Sequence, residues 1–343
     1  MKLIIQIPCL NEAKTLPVTL ADLPKSLPGI DEIEVLIVDD GSTDDTAEVA
    51  KQNGVQHVRR FKNNKGLAEA FMTGINTSLE LGADIIVNTD ADNQYKGECI
   101  ADLIKPIVEG KADMVIGDRQ VETIPHFSSL KIMLQKLGSW VVRRFSETSV
   151  PDTTSGFRAY SREAALRLNV ISRFTYTLET IIQAGKKNIA VTHVPIQTNG
   201  MLRKSRLFRS MPSYIKRSVS TIFRIYVMYE PLKAFMVVGS ILFSAGFLIG
   251  LRFLYFYFFV DSGAGHIQSL ILSAVLLLLG FQMGIFGVIA DLIAGHRRLT
   301  EDTLYRVKKV ELDLMRLGEE NDKHHAENSI LENQKKQATD VHA

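Results

Sequence analysis

Two long apolar segments joined by a short linker constrain this chain more than any other feature. The first, AFMVVGSILFSAGFLIGLRFLYFYFFV at 234–260, carries a single charge, Arg252, and the second, QSLILSAVLLLLGFQMGIFGVIA at 268–290, carries none. At ~1.5 Å per helical residue, each can cross the ~30 Å hydrocarbon core of a bilayer. One such segment alone would also suit the core helix of a soluble domain. Two in tandem, joined by DSGAGHI, predict a membrane hairpin. Residues 203–224 carry seven Lys and Arg and no acid, GHRRL follows the second segment, and the linker has neither Lys nor Arg. The positive-inside rule therefore predicts both ends in the cytosol. Arg252 lies ~27 Å along the first helix from Ala234, where it can snorkel to the far interface beside Phe253, Tyr255, Phe256 and Tyr257. Each span contains a G-x-x-x-G, Gly246 with Gly250 and Gly280 with Gly284, which allows close packing within the hairpin or between subunits of a homo-oligomer.

Over its full 343 residues the chain is nearly balanced in charge, 40 Lys and Arg against 38 Asp and Glu, which argues against a nucleic-acid partner. Cys9 and Cys99 are too few for a disulfide framework or a thiolate metal site and read as buried thiols of a reducing compartment. MKLIIQIP has too short an apolar run for a signal peptide, so the N-terminal part is expected in the cytosol. Residues 201–232 mix Leu207, Phe208, Ile215, Ile222 and Phe223 with basic side chains and read as an amphipathic interfacial helix. The expected organisation is a soluble domain over 1–200, this juxtamembrane segment, the hairpin at 233–293, and a cytosolic helix with a disordered tail over 294–343. A helix or coiled coil is indicated around 302–317, the polar stretch after Leu317 is expected to be disordered, and His324 and His325 read as solvated.

Within the soluble part, LIIQIP, EVLIVDD, VQHVRR, DIIVNTD and DMVIGDR read as strands, with helices starting near Glu12, Asp44, Gly66 and Gly97. That alternation predicts an α/β domain with an open, mainly parallel sheet covered on both faces. Ligands of such sheets gather beyond the carboxyl ends of the strands, which here read IPCLNE, VDDGSTD, TDADNQ and GDR. A lone D-x-D at a strand end is commonly a turn. Four acidic or amide-rich ends on one rim point instead to a binding site. It has neither the G-x-G-x-x-G of a dinucleotide fold nor a P-loop. Its carboxylates and amides (Asn11, Glu12, Asp39, Asp40, Asp90, Asp92, Gln94) suit Mg²⁺ or Mn²⁺ rather than zinc, with coordination positions left for the oxygens of a nucleotide diphosphate.

In order and spacing, IPCLNEA, VDDGSTDDT, NKGLAEAFMTGI, TDADNQ, VIGDR and DTTSGFRAYSR resemble family 2 glycosyltransferases of GT-A fold. Within that family they resemble the dolichyl-phosphate mannose synthase and bacterial polyprenyl-phosphate glycosyltransferase branch. The resemblance covers roughly residues 1–200, and the two-span hairpin matches one subgroup. It implies that Pro8, Asn11, Glu12 and Asp39 surround the nucleoside, with Asp40 and Asp90 close by. Asp90, Asp92 and Gln94 would hold the metal on the donor diphosphate, and Arg203, with Lys204 and Arg206, would close over that diphosphate. Arg119 matches an acceptor-phosphate contact, although Asp118 stands where Ser is more usual. Lys136 is the loosely aligned second basic residue.

The implied reaction transfers one sugar, with inversion, from a UDP- or GDP-linked donor to a polyprenyl phosphate. Asp152 sits where related transferases keep a base and is expected to position or deprotonate. Arg158 is expected to touch the acceptor or to pair with Asp152. The product would form on the cytosolic leaflet of the cytoplasmic membrane, and its use outside would need a flippase and an outward-facing transferase. A processive polysaccharide synthase is the competing enzyme, but its Q-x-x-R-W is missing and Trp140 lies in KLGSW. A non-catalytic membrane scaffold is the alternative of another class, and the intact D-x-D weighs against it.

Overall fold

The computed structural model describes the backbone of residues 1–120, 139–140, 142–144, 146–171, 175–200, 219–220, 223–224, 226–260 and 266–340, with side chains to Gly318. It divides into two units, Met1–Leu207 with Asp302–Ala343, and Phe208–Glu301.

The first unit is built on seven strands: β1 (Lys2–Cys9), β2 (Glu32–Asp39), β3 (His57–Arg60), β4 (Ile85–Asn88), β5 (Met114–Asp118), β6 (Arg158–Ser161) and β7 (Val191–Pro195). Their order across the sheet is β3-β2-β1-β4-β6-β5-β7. All neighbours are parallel except β6, which runs antiparallel to both β4 and β5. The five strands expected from the sequence are present, and β6 and β7 add to them. The helices are α1 (Leu16–Asp22), α2 (Thr46–Gln52), α3 (Leu67–Glu80), α4 (Ile100–Val108), α5 (Arg162–Arg167) and α6 (Thr177–Lys186). The chain moves from β1 outward through β2 to β3, then returns to place β4 on the other side of β1. That reversal opens a crevice beyond Cys9 and Asn88, where an open α/β sheet binds its ligand.

Strands buried on both faces explain the continuous apolar runs. Leu3, Ile4, Ile5, Ile7, Ile85, Ile86, Val87, Val115 and Ile116 have no exposed surface, and each such side chain contributes about 1.5–3 kcal/mol of transfer free energy. One face packs α1 and α4 through Leu16, Ile100, Leu103 and Ile104. Gly97 opens a 3-10 turn before α4 at a close crossing, since a Cβ there would lie 1.9 Å from the Asp22 carbonyl oxygen.

The second unit holds α7 (Pro231–Phe259) and the first part of α8 (Ile267–Asp340), both long and apolar enough to cross a membrane. Their small residues pack against each other within the hairpin. A Cβ on Gly246 would lie 2.9 Å from Leu276 Cβ, one on Gly280 would lie 2.7 Å from Phe243 N, and Ser273 Oγ donates to the Gly246 carbonyl at 2.6 Å. Tyr229 caps the cytoplasm-expected end of the hairpin, its ring 4.4 Å from the Arg297 guanidinium and its hydroxyl accepting from Arg297 Nη2 at 2.9 Å. The linker residues 261–265 lie outside the described residues, as does most of the expected interfacial helix.

One expectation is corrected. The tail after Leu317, expected to be disordered, is helical instead: α8 runs without a break to Asp340. Its polar composition lacks a core-forming face, but Glu, Lys, Gln, Ala and Leu are good helix formers and no proline interrupts them.

Candidate active site

The loops after β1 and β2 are stitched together by their own polar residues. Asn11 takes a left-handed conformation, φ +56°, which Asn tolerates better than most residues. Its Oδ1 accepts from Thr43 N at 2.8 Å and Thr43 Oγ1 at 3.1 Å, while its own N–H donates to Ser42 Oγ at 2.9 Å. Glu12 N donates to Thr46 Oγ1 and Ala13 N to Asp44 Oδ2. Glu12 is buried, and its Oε2 accepts from Thr15 Oγ1 at 2.7 Å. Gly41 turns the chain just after Asp40 at φ +73°, where a Cβ would lie 2.7 Å from the Asn63 carbonyl carbon.

The two acids at the end of β2 differ in role. Asp39 has no exposed surface; Oδ1 accepts from Ser42 N at 2.8 Å, and Oδ2 lies 3.2 Å from Arg60 Nε. Arg60 also donates to the Ser42 carbonyl at 3.0 Å, so a cation from β3 is fixed beside an acid expected at the nucleoside. Asp40 accepts from Lys65 N at 2.6 Å and Gly66 N at 2.9 Å, tying β2 to the start of α3. In this structure it is a backbone anchor. Pro8 is half-buried on β1, paired with Val38.

Asp90 and Asp92 follow β4 at the reversal point. Asp92 Oδ1 accepts from Gln94 N at 3.2 Å, closing a local turn. Beneath them runs a buried polar ladder: Gln6 Nε2 donates to Asn88 Oδ1 at 2.9 Å, and Asn88 Nδ2 donates to the Gly156 carbonyl at 2.8 Å and Tyr176 Oη at 2.9 Å. Gly156 lies directly against the first acid, since a Cβ would come within 3.2 and 3.3 Å of the Asp90 carboxylate oxygens. Tyr95 stacks on Phe157 at 4.9 Å, accepts from Gly156 N at 3.2 Å, and has its phenol pushed by burial up to about 12. Thus Asp90 lies against Gly156, 66 residues away in sequence. Two carboxylates and a neighbouring amide form the sparse oxygen set suited to a cation shared with a diphosphate. Among the described residues, no group of three or more His, Cys, Asp or Glu stands together as a protein-only metal cage.

Arg119, just beyond β5, grips Asp152 through Nε to Oδ2 at 2.7 Å and Nη2 to Oδ1 at 3.0 Å, and donates to Thr154 Oγ1 at 2.8 Å. Burial opposes the charge on both. Asp152 and Asp90 nevertheless hold Arg119 still more firmly protonated than usual, and Arg119 holds Asp152 below the ordinary carboxylate range.

Arg158 requires a correction. It was expected to meet the acceptor or pair with Asp152, but it has no exposed surface. Its guanidinium donates to the carbonyls of Ser155 (2.7 Å), Thr177 (2.8 Å) and Thr153 (3.0 Å) and to Thr180 Oγ1 (2.7 Å). Because β6 enters the sheet antiparallel, its first side chain is carried under the site, where it clamps the 153–155 loop to α6. Arg203, Lys204, Arg206 and Lys136 lie outside the described residues. Sequence reasoning missed Arg60, Asn88, Gly156 and Tyr176. SGF within DTTSGFRAYSR and the final N of IIVN were the available signals.

Residues 4–168 match glycosyl transferase family 2. The undecaprenyl-phosphate mannosyltransferase of Micrococcus luteus is 29% identical over 206 residues, spanning 57% of this chain and 83% of the relative. The UDP-N-acetylglucosamine–dolichyl-phosphate N-acetylglucosaminyltransferase of Methanococcus voltae is 31% identical over 218 residues, spanning 56% and 83%. Among solved structures, glucosyl-3-phosphoglycerate synthase of Mycobacterium tuberculosis, in complex with Mn²⁺, UDP and glucosyl-3-phosphoglycerate, superposes with a TM-score of 0.52. That likeness is at 19% identity over 66% of this chain and 79% of that one, and it identifies the GT-A fold of the soluble domain. With this motif order, this sheet and these relatives, the chain belongs to glycosyl transferase family 2.

Proposed function

We propose that this glycosyltransferase moves a single sugar from a nucleotide-sugar donor to the phosphate of a membrane polyprenyl phosphate, inverting the anomeric carbon, on the cytosolic leaflet. The observation that carries the reading is the rim at the sheet's reversal point. There a largely buried Arg119 is within electrostatic reach of Asp90 of the D-x-D, in a chain that also has two helices long and apolar enough to cross a membrane. The names of the bacterial and archaeal relatives, both polyprenyl-phosphate transferases, support the acceptor class.

In this reading Asn11, Glu12 and Asp39 hold the nucleoside, with Pro8 on the same wall and Arg60 fixing Asp39. Asp90, Asp92 and Gln94 would hold Mg²⁺ or Mn²⁺, which neutralises charge on the leaving diphosphate. Arg119 orients the acceptor phosphate, with Lys136 and the loop of Arg203 as further basic contributors. A phosphate monoester is already largely dianionic near pH 7, its second pKa being about 6. It can attack C1 without a strong base. Asp152, held ionised by Arg119, therefore acts as the residue that aims the guanidinium, and no proton needs to reach it.

The test is nucleotide release by the purified protein in detergent, with a panel of UDP- and GDP-sugars and a short polyprenyl phosphate. Release should require the lipid phosphate. Equal release with water alone, or only with a soluble sugar acceptor, would contradict the reading.

A further inference from the structure

Residues 302–318 of α8 present two unlike faces. One is held by the catalytic domain: the Tyr305 hydroxyl bonds the Glu163 carboxylate at 3.0 and 3.1 Å, and Arg167 lies over the Tyr305 ring at 5.2 Å. Lys308 Nζ donates to Asn76 Oδ1 at 3.0 Å, and Leu312 is half-buried on the same side. The other face is apolar and uncovered, with Val307, Val310, Leu314 and Leu317 exposed by 56, 57, 63 and 56%. Their spacing of three, four and three residues is that of coiled-coil positions a, d, a and d. In that register Tyr305 and Leu312 fall at f and Lys308 at b, pointing away from the a/d seam. One helix can therefore hold its own domain and a second helix at the same time.

We propose that this seam pairs with the same seam of a second copy of the chain, as a parallel two-stranded coiled coil continuing from the membrane hairpin. The direction follows from connectivity: Val307 lies about 17 residues beyond the second apolar segment, so two copies inserted the same way in a bilayer start their seams from the same membrane face and run them in parallel. The charges agree. In a parallel pair each g residue faces the e residue five positions further along the other helix, which sets Arg306 against the partner's Glu311 and, by symmetry, repeats the contact. Arg306 and Glu311 are both exposed and oppositely charged. In sequence, the next a position is Asn321, a polar choice that favours two strands. Four apolar residues make a short seam, and confinement of both copies to one membrane raises their effective concentration enough to compensate. The inference rests on the membrane reading of the hairpin and not on the donor or acceptor assignment.

The test uses the full-length protein in proteoliposomes. On mild oxidation L314C, at an a position, should give a disulfide-linked dimer, whereas R316C, at an outer c position, should not; Cys9 and Cys99 are buried. In a fluorescence-transfer titration, R306E should weaken association by about fivefold, and adding E311R should restore it. Equal crosslinking at both positions, no crosslinking at 314, or no recovery in the charge swap would each overturn the proposal. None of these results bears on whether the chain transfers sugar.

Discussion

Arg119 and Asp152 share two parallel hydrogen bonds, 2.7 and 3.0 Å long, across 33 residues of chain. The acid expected as a base and the cation expected to meet the acceptor are thus a single unit. D152N should raise the KM for the lipid acceptor far more than that for the donor. Breaking one side of a buried pair should also cost about 3–5 kcal/mol of stability. If Asp152 were the base instead, kcat would collapse with acceptor KM unchanged.

The same pair sets a pH dependence. Asp152 is depressed below its ordinary value, so its stabilising contribution is complete above the unfolded carboxylate pKa of ~3.9 and is lost as pH falls through the lower folded value. Melting temperature should therefore decline more steeply below pH 4 in the wild type than in D152N. Parallel profiles would show that the pair carries no such linkage.

Gly156 is predicted to matter through Asp90. In G156A the new methyl would stand 2.9 Å from Tyr176 Oη and 3.2 Å from Asp90 Oδ1. Overpacking of this kind typically costs about 1–3 kcal/mol. The carboxylate should also move, so the Mn²⁺ concentration needed for half-maximal activity should rise about tenfold or more. An unchanged metal titration would separate Gly156 from the site.

These contacts mark the limit of what the sequence reveals. Strands β1, β2 and β4, the acidic strand ends and both long apolar helices were legible because each is a local pattern of apolar runs followed by turn residues. The buried role of Arg158 was not, because it depends on β6 entering antiparallel, and RAYS is too short to disclose its direction. The Arg119–Asp152 pair and the Gln6–Asn88–Gly156 ladder join segments 33 to 82 residues apart, beyond any periodicity. The helix past Leu317 was obscured for the opposite reason: its composition reads as solvated whether it is coiled or helical.

Topology gives an independent prediction. A cysteine at Ser262, in the linker, should react with an impermeant thiol reagent in intact cells, and one at Ser205 should react only after the membrane is opened. The reverse pattern would remove the donor site from the cytosol.

Identification of the product tests the central claim most directly. Wild-type protein, polyprenyl phosphate, the accepted nucleotide sugar and Mg²⁺ or Mn²⁺ should give, by mass spectrometry, a lipid phosphate heavier by one sugar residue. Excess chelator or D92A should abolish that product while the protein stays folded. A polymer, a glycosylated protein, or full product formation in chelator would contradict the account.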